Sequence, residues 1–339
     1  MKLIGLLMLI ITSVSCHSSK SIQFSNTFKS HSTKGSHSRG LTVKDDLIVV
    51  SGALGNVTLT NKDTQHKFHF LIDSIEDFRD VHINKDNSIV LLNSGDYGKI
   101  VKLFPNGESK LVFNQDHLFL NGISFYKDSE TGFAYGDPID STFVVLKTVN
   151  LGGNWIRLDP KTLPVILPNE AGFAASGTGI QTPEEHVIYI GTGASESARL
   201  FRSFDKGVTW DFVTTPMKSG DSFGIYSMHF NSAKEGFIIG GSYLKTKYNE
   251  NICFYTKNKG KSWTNISFGL PGYMSCIHGN EDLSLLVATG RNGTYYSLDK
   301  GKNWNLKSII PYYSCVVTDS TIIFSGKNGT FEISQYTLN

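Results

Sequence analysis

The sequence predicts an all-β protein folded as a seven-bladed β-propeller, and three observations carry that prediction. A turn motif ending in tryptophan recurs at the spacing of blades, short strands open seven times with a small residue at the same place, and seven glycines close the strands that follow. The composition agrees, because the chain has 33 Gly and 12% aromatic residues but only 18% charged residues. Many aromatics and glycines with few charges are typical of strands joined by tight turns.

The charge balance excludes two broad classes of protein. Lys and Arg number 32 and Asp and Glu number 30, so the formal net charge is +2 across 339 residues. A nucleic-acid-binding domain carries a basic patch or a strongly basic balance, and an acidic disordered chain carries a large net charge. Neither description fits, and we expect no nucleic-acid partner.

Residues 1–16 predict an export signal. Lys2 is followed by an apolar run and small residues, and the segment ends at Cys16. Such a segment is too short to span a bilayer. A terminal cysteine is typical of a bacterial lipoprotein, so we expect lipidation of Cys16, with residues 17–37 as a tether and the cell envelope (periplasm or outer membrane) as the location. Ordinary cleavage with an incidental Cys16 is the alternative. No later segment is apolar enough to span a membrane.

The four tryptophans end one eight-residue pattern. Its full form, S-x-D-x-G-x-T-W, runs from Ser203 to Trp210, and the others end at Trp155, Trp263 and Trp304. Asp or Asn bonds the backbone of its own turn, Gly takes a positive φ, and Trp packs at the start of the next strand. The pattern resembles the Asp-box, or bacterial neuraminidase repeat, and its spacing is that of propeller blades.

Short first strands repeat seven times, and each carries a small or short residue at the same place. These residues are Gly40, Asp80, Gly122, Gly177, Ser227, Ser275 and Ser314. Innermost strands of a propeller converge on a narrow axis, where bulky side chains would collide. Second strands are predicted to end at Gly52, Gly95, Gly136, Gly191, Gly240, Gly290 and Gly326.

The seventh blade is predicted to lack an outer strand. The chain ends at Asn339 soon after the third strand of that blade. An exposed edge would be a liability. The strand-like segment 21–28 has no other partner, so we expect it to close the ring, with the propeller itself over residues 38–339.

The strand-opening motifs support a family resemblance. Six short motifs occur in a fixed order along the chain: S-R-G-L at Ser38, F-R-D-V at Phe78, F-A-Y-G-D-P at Phe133, F-A-A-S-G-T at Phe173, and then G-I-Y-S and G-Y-M-S. Together with the Asp-boxes, they make the chain similar to the bacterial photosystem II stability/assembly factor-like family, whose members often carry the label oxidoreductase. The resemblance implies a seven-bladed propeller of scaffold or assembly type. Gly241-Ser242-Tyr243 stands where the family often has G-D-Y, so any role of that acid is lost.

Antiparallel counting predicts which face carries chemistry. First strands start and second strands end on one face, here called the top face, whereas the Asp-boxes lie on the opposite face and are structural. Polar and aromatic residues are expected around the channel mouth of the top face, as candidates to hold an anionic or sugar-like ligand. The candidates are Arg39, Arg79, Asp80, Asn121, Asp137, Glu170, Ser176, Tyr226 and Tyr273. The alternative is a buried Arg–Asp network that ties the blades together.

No catalytic residue is assigned. A sialidase needs three arginines around the axis, and the Arg-Ile-Pro signature of that family is absent. No dinucleotide-binding motif opens a helix, and no histidine or cysteine spacing predicts a metal, so we expect neither cofactor nor metal. Cys276 and Cys315 occupy equivalent places, so a pairing is conceivable, but buried free thiols are expected.

The sequence therefore predicts a monomeric, envelope-anchored propeller that binds a partner or ligand on its top face, as a scaffold or assembly factor. The alternative is a glycoside-acting (sialidase-like) or carbohydrate-binding propeller that uses the same face. A glycosidase would need two carboxylates about 5–10 Å apart.

Overall fold

Seven four-stranded antiparallel sheets form the molecule. A computed structural model describes residues 20–31, 36–62, 67–72 and 76–339. Within these residues the helical structure is one short 3₁₀ turn, Pro160–Thr162. The all-β, seven-bladed prediction is confirmed. The predicted export signal and Cys16 lie outside the described residues.

Each of the first six blades takes four consecutive strands, ordered from the axis outward. The closing strand, β1, is Ile22–His31, and blade 1 follows with β2 Ser38–Lys44, β3 Leu47–Gly52, β4 Asn56–Asn61 and β5 Lys67–Leu71. Blade 2 has β6 Phe78–Ile83, β7 Ile89–Asn93, β8 Tyr97–Leu103 and β9 Ser109–Asp116; blade 3 has β10 Leu120–Phe125, β11 Gly132–Ile139, β12 Thr142–Thr148 and β13 Ile156–Arg157. Blade 4 has β14 Ile180–Gln181, β15 Ile188–Gly191, β16 Arg199–Ser203 and β17 Asp211–Thr214.

The remaining strands complete the ring. Blade 5 has β18 Phe223–Phe230, β19 Gly236–Ser242, β20 Cys253–Thr256 and β21 Thr264–Asn265; blade 6 has β22 Cys276–Gly279, β23 Leu286–Gly290, β24 Gly293–Ser297 and β25 Asn305–Ser308. Blade 7 has β26 Tyr312–Val317, β27 Thr321–Gly326 and β28 Thr330–Leu338.

Strand β1 supplies the fourth strand of blade 7. It pairs antiparallel with β28 from Ile22 opposite Leu338 to His31 opposite Thr330. Lys29 adds an ion pair to the buried Glu332, with Nζ and Oε2 3.0 Å apart. The closing segment was predicted over 21–28 and extends three residues further. It covers the edge that β28 would otherwise expose.

The hydrophobic core is divided among the seams between neighbouring blades. Trp155 of blade 3 packs with Val90 and Leu92 of blade 2, and Trp304 of blade 6 packs with Ile252 and Ile266 of blade 5. Both indoles are more than nine-tenths buried. The tryptophans of these repeats therefore hold one blade against the preceding one.

The Asp-box turns have the predicted internal bonds. Asp205 Oδ1 accepts from the backbone N–H groups of Val208 (3.1 Å) and Thr209 (2.9 Å). Lys206 and Gly207 take positive φ angles of 61° and 80°. Local turn chemistry therefore accounts for these residues without a ligand.

Two expectations about the strands were wrong. The second strands of blades 2, 3 and 5 do not end at Gly95, Gly136 and Gly240: β7 ends earlier, while β11 and β19 run on. A bulge between Gly136 and Pro138 lets β11 continue past its glycine. In blade 4, Gly177 was expected within the inner strand, but that strand is only Ile180–Gln181. Gly177 lies in a turn at φ +75° beside Asp80. A β-carbon at this position would stand 2.1 Å from Asp80 Oδ1.

The described residues hold no helix with the length and hydropathy needed to cross a membrane.

Candidate functional site

A β-bulge recurs at the start of the inner strand in five blades. The register against the second strand slips by one residue at the same place in blades 1, 2, 3, 5 and 7. The extra residues are Arg39, Arg79, Asn121, Tyr226 and Tyr313. A bulge leaves one residue out of the strand ladder and redirects its side chain. Four of these residues, Arg39, Arg79, Tyr226 and Tyr313, line the pocket at the channel mouth, whereas Asn121 does not.

Small residues after the bulge let the inner strands meet at the axis. Ser314 Oγ donates to the carbonyl oxygen of Arg39, which links blade 7 to blade 1. Ser275 Oγ donates to the carbonyl oxygen of Tyr313 at 2.7 Å, linking blades 6 and 7. The predicted small positions are therefore sites of close inter-blade hydrogen bonding, and they fix the backbone from which the bulged side chains project.

A cavity of about 430 Å³ opens above this hub on the top face. It is lined by three arginines, four tyrosines, two phenylalanines, one carboxylate and short side chains: Arg39, Arg79, Arg291, Tyr226, Tyr243, Tyr273, Tyr313, Phe119, Phe173, Asp221, Ala171, Gly172, Ala174, Ala175, Ala194 and Ser275. We call this cavity the hub pocket. Of the candidate residues, it brings together Arg39, Arg79, Tyr226 and Tyr273.

Arg39 is held in the hub pocket without an acidic partner among the described residues. Its Nη1 donates to the carbonyl oxygen of Ala175 at 3.2 Å, and its guanidinium lies 4.3 Å from the centre of the Tyr313 ring. Burial, with a smaller contribution from the charge of Arg79, lowers the pKa of Arg39, and the charge of Asp77, which is itself paired with Arg79, acts in the opposite direction. Guanidinium remains charged in proteins, so this residue presents a positive charge and unused donors.

The other two arginines are more fully engaged. Arg79 Nε donates to Asp77 Oδ2 at 2.7 Å, and its guanidinium lies 5.7 Å from the Phe119 ring centre. Arg291, which is exposed, donates to the carbonyl oxygen of Tyr243 at 3.2 Å. Of the buried Arg–Asp network considered as the alternative, the pocket arginines show one pair, between Asp77 and Arg79, and it lies within one blade.

Packed aromatic rings form part of the pocket lining. The Phe173 and Tyr226 rings stack with centres 3.9 Å apart, and Tyr273 meets Tyr226 edge-on at 4.9 Å. Tyr226 donates its hydroxyl to the carbonyl oxygen of Ser222. Burial raises the pKa of Tyr273 to about 12, although Arg39 opposes the rise. The Tyr273 phenol is therefore neutral at physiological pH.

Glu170 does not lie at the channel mouth, so that expectation was wrong. Its carboxylate is fully buried in an ion pair with Arg199, in which Arg199 Nε lies 2.9 Å from Oε1 and Nη2 also contacts Oε2. Thr192 Oγ1 donates to the same carboxylate at 2.5 Å. The pair fixes the segment that leads into Ala171–Ala175, one wall of the pocket, so Glu170 acts on the site only through the backbone.

The remaining candidates lie outside the pocket lining. Asp80 is buried at the hub, where its two oxygens accept from the backbone N–H groups of Val81 (2.8 Å) and Ile123 (2.7 Å). Burial raises its pKa to about 8. Ser176 Oγ donates to the carbonyl oxygen of Ser275 at 2.8 Å. These two residues join blades.

Asn121 and Asp137 form a pair outside the lining, beside the segment 171–172. Asn121 Nδ2 donates to Asp137 Oδ1 at 2.8 Å, and the Gly172 N–H approaches the same oxygen at 3.3 Å. Burial raises the pKa of Asp137. Asp137 lies within β11 rather than beyond its end. Among described residues that line the pocket, Asp221 is the one carboxylate, so the lining holds no carboxylate pair of the glycosidase kind.

Two residues that line the hub pocket, Tyr313 and Arg291, were not among the candidates, although their places in the repeat could have identified them. Tyr313 opens the seventh inner strand at the place where Tyr226 opens the fifth, so the repeat register already marks it. Arg291 directly follows Gly290, the predicted end of the second strand of blade 6, and it lines the pocket. Phe119, Tyr243 and Asp221 come from loops whose path the repeat does not specify.

The Asp-box turns belong to a different surface. Asp299, Lys300 and Lys302 of the last Asp-box line a separate groove of about 970 Å³, and none of its lining residues also lines the hub pocket. The described part of the chain has no cluster of three His, Cys, Asp or Glu residues suited to a metal ion.

The sequence is similar to proteins of photosystem II assembly. The family model described as "Photosynthesis system II assembly factor YCF48" matches residues 181–312. The chain is also 32% identical over 111 residues to the chloroplastic photosystem II stability/assembly factor HCF136 of Arabidopsis thaliana. That alignment covers 31% of this chain and 25% of the relative, so the chain spans about a quarter of its length.

Solved propellers share the fold at low sequence identity. A streptogramin B lyase matches with a TM-score of 0.67 at 12% identity, covering 93% of this chain and 98% of that one. The WD40 repeats of RRP9 match with a TM-score of 0.63 at 9% identity, covering 93% and 97% of the two chains. A catalytically inactive virginiamycin B lyase from Staphylococcus aureus with quinupristin matches with a TM-score of 0.59 at 13% identity, covering 94% and 99%. These likenesses concern the fold alone.

The family match falls on blades 4 to 6 and ends at Tyr312, the first residue of blade 7. It therefore covers the second to fourth Asp-boxes, as well as Tyr226 and Tyr273 of the hub pocket. With seven blades and four Asp-boxes, the chain is a BNR-repeat propeller that is similar, over blades 4 to 6, to the photosystem II assembly factor family.

Proposed function

We propose that this propeller is a scaffold or assembly factor that binds an anionic group of a partner in the hub pocket. The observation that carries the proposal is Arg39, a largely buried guanidinium that no carboxylate among the described residues pairs. A buried charge is costly unless it is paired and hydrogen-bonded. A carboxylate or phosphate from a partner would supply the missing counter-charge.

The lining favours a planar anion next to an apolar or aromatic group. Arginine presents parallel N–H donors that match carboxylate and phosphate oxygens. The Phe173–Tyr226 wall offers stacked ring faces and edges at the side of the cavity. A volume of about 430 Å³ admits a side chain or a chain end rather than a folded domain. The remainder of a protein partner would rest on the top-face loops.

The similarity to photosystem II assembly factors supports an assembly role in general. The matched relative is named for the stability and assembly of photosystem II. For this chain we propose the same kind of work, holding a partner during assembly, with the partner identified by an acidic group that enters the hub pocket.

The binding proposal is tested with a defined probe. A short peptide that ends in phenylalanine with a free carboxylate is titrated against the full chain by calorimetry, and its C-terminally amidated twin is the ligand control. Arg39→Met removes the charge and keeps much of the apolar stem. We expect the variant to bind at least tenfold more weakly, because charge-assisted hydrogen bonds contribute about 1.5–3 kcal/mol.

Arg157→Met is the matched protein control, because Arg157 lies in the outer strand β13 and does not line the pocket. Equal affinity for the acid and the amide, or unchanged affinity of a folded Arg39→Met protein, would contradict the proposal. Thermal melts of both variants report whether they are folded.

We also propose that Cys16 anchors the propeller to the cell envelope. The support is the export-like segment 1–16 and its terminal cysteine. In a bacterial host, Cys16→Ser is expected to move the protein from the membrane fraction to the soluble fraction and to abolish incorporation of labelled fatty acid. A Cys16→Ser protein that remains in the membrane fraction would refute the anchor without bearing on the hub pocket.

A further inference from the structure

Two cysteines face each other across the seam between blades 6 and 7. Cys276 begins β22 and Cys315 lies in β26, the inner strands of these blades. Their Sγ atoms are 3.8 Å apart, and the backbone N–H of Cys315 points at Cys276 Sγ at 3.4 Å. Both side chains are fully enclosed. The third described cysteine, Cys253, lies in β20 of blade 5, away from this pair.

We propose that Cys276 and Cys315 form a disulfide that staples blade 6 to blade 7 when the protein folds in an oxidising compartment. A disulfide needs its sulfurs about 2.05 Å apart, so the present separation must close by roughly 1.7 Å. The two side chains approach through a shared, packed seam, and χ1 rotation of a cysteine moves its sulfur over a longer distance than this. The required change is therefore one of side chains on strands that are already neighbours.

The oxidation is an exchange with a disulfide oxidant such as oxidised glutathione. The thiolate of one of the two cysteines attacks one sulfur of the oxidant, forms a mixed disulfide and releases one thiol. The thiolate of the other cysteine then attacks the protein sulfur of this mixed disulfide, forms the Cys276–Cys315 disulfide and releases the second thiol. Two electrons pass from the protein thiols to the oxidant, and the two thiol protons end on its products.

In the closed seam the two thiols have different surroundings. The hydrogen bond donated by Cys315 lowers the pKa of Cys276 to about 7, while burial raises the pKa of Cys315 well above its usual range. Because both sulfurs are enclosed in the closed ring, the exchange belongs to folding, before blade 7 seals against blade 6. At that stage the hydrogen bond between the two cysteines has not formed, so either thiol attacks the oxidant first, as its thiolate.

The position gives the staple a structural consequence. Blade 7 is the blade that the N-terminal strand β1 completes through noncovalent contacts. A covalent link on its other side holds its inner strand against blade 6. Tyr273 lies three residues before Cys276, and Tyr313 lies two residues before Cys315; both tyrosines line the hub pocket. The staple thus fixes two pocket residues relative to each other, although its formation does not depend on any ligand.

The test follows the cysteines through refolding. The full chain is unfolded and reduced, refolded in a glutathione redox buffer, and denatured in an alkylating reagent before digestion with trypsin. Cleavage leaves Cys276 in the peptide 262–291 and Cys315 in the peptide 308–327, each with a single cysteine. We expect these two peptides as one cross-linked species that reduction separates, with Cys253 recovered as the alkylated thiol.

Single variants decide between this pair and any other. Cys276→Ser and Cys315→Ser should each abolish the cross-linked species, and Cys253→Ser should leave it intact. The oxidised protein should melt about 5 °C above its reduced form, since closing a loop of some 40 residues restricts the unfolded chain. Recovery of both peptides as alkylated thiols or as glutathione adducts, or a cross-link through Cys253, would overturn the proposal.

Discussion

The buried ion pair between Glu170 and Arg199 offers a measurable test of how the hub pocket is held. The Arg199 and Glu170 side chains are 3% and 0% exposed. Arg199 also donates to the carbonyl oxygen of Val165 at 2.9 Å, and its guanidinium lies 4.4 Å from the Phe212 ring centre. The pair therefore connects blade 4 to the segment that leads into the pocket wall.

Glu170→Gln keeps the shape of the side chain and removes its charge. Arg199 then remains buried with a neutral partner, and breaking a buried pair by removing one charge typically costs about 3–5 kcal/mol. Because glutamine retains one acceptor, we expect a loss of about 3 kcal/mol in the free energy of unfolding. A chain of this size has an unfolding entropy of about 0.6 kcal/mol per degree, so the melting temperature should fall by about 5 °C.

Glu185→Gln is the matched control. Glu185 pairs with Lys206 in an Asp-box, but these two side chains are 66% and 38% exposed. Water screens the charges of an exposed pair, so its removal is expected to change the free energy of unfolding little. Guanidinium-chloride unfolding of the two variants separates burial from charge removal. If Glu170→Gln proves no more destabilising than Glu185→Gln, the reasoning about the pocket wall is refuted.

Four further predictions concern pH, turns and ring closure. Burial lowers the pKa of His82 from 6.5 to about 4, so the unfolded chain binds the proton more readily than the folded one. Stability should therefore fall as the pH is lowered from 6.5 to 4. In denaturant melts, His82→Phe should reduce that loss by about 3 kcal/mol. Burial raises the pKa of Asp80 to about 8, so this group makes the folded protein less stable as the pH rises from 4 to 8. Asp80→Asn should flatten that decline in stability. Asp205→Ala should cost about 1 kcal/mol by removing turn bonds, with peptide affinity at the hub pocket unchanged, and an altered affinity would contradict the separation of the two faces. Deleting residues 20–31 exposes the edge of β28, so light scattering should detect oligomers that grow with protein concentration. A monomer that melts like the intact chain would argue against β1 as the closing strand.

Repetition made the blades readable from sequence. The Asp-box needs Asp, Gly and Trp at fixed spacing because one short turn satisfies its own backbone and sends Trp155 or Trp304 into the seam between blades. The requirement is local, so it can be recognised in the amino-acid sequence. The same holds for the small residues of the inner strands, where a narrow axis excludes larger ones.

The hub pocket was readable only where it follows the repeat. Arg39, Arg79 and Tyr226 share one register position, and the bulge at that position brings them to the same mouth. Glu170 was misplaced because its partner, Arg199, lies 29 residues further along the chain in a third strand. No local pattern records a pairing across that distance.

The sequence by itself determined the number of blades, their turns and the strand that closes the ring, because each depends on contacts that recur at every blade. The tertiary structure alone decided which charges are paired, leaving Arg39 without a carboxylate while Glu170 is enclosed with Arg199. It also brought Cys276 within 3.8 Å of Cys315. The physical reason is that solvation and charge pairing depend on distances between side chains from different blades, which the sequence does not fix by any local rule.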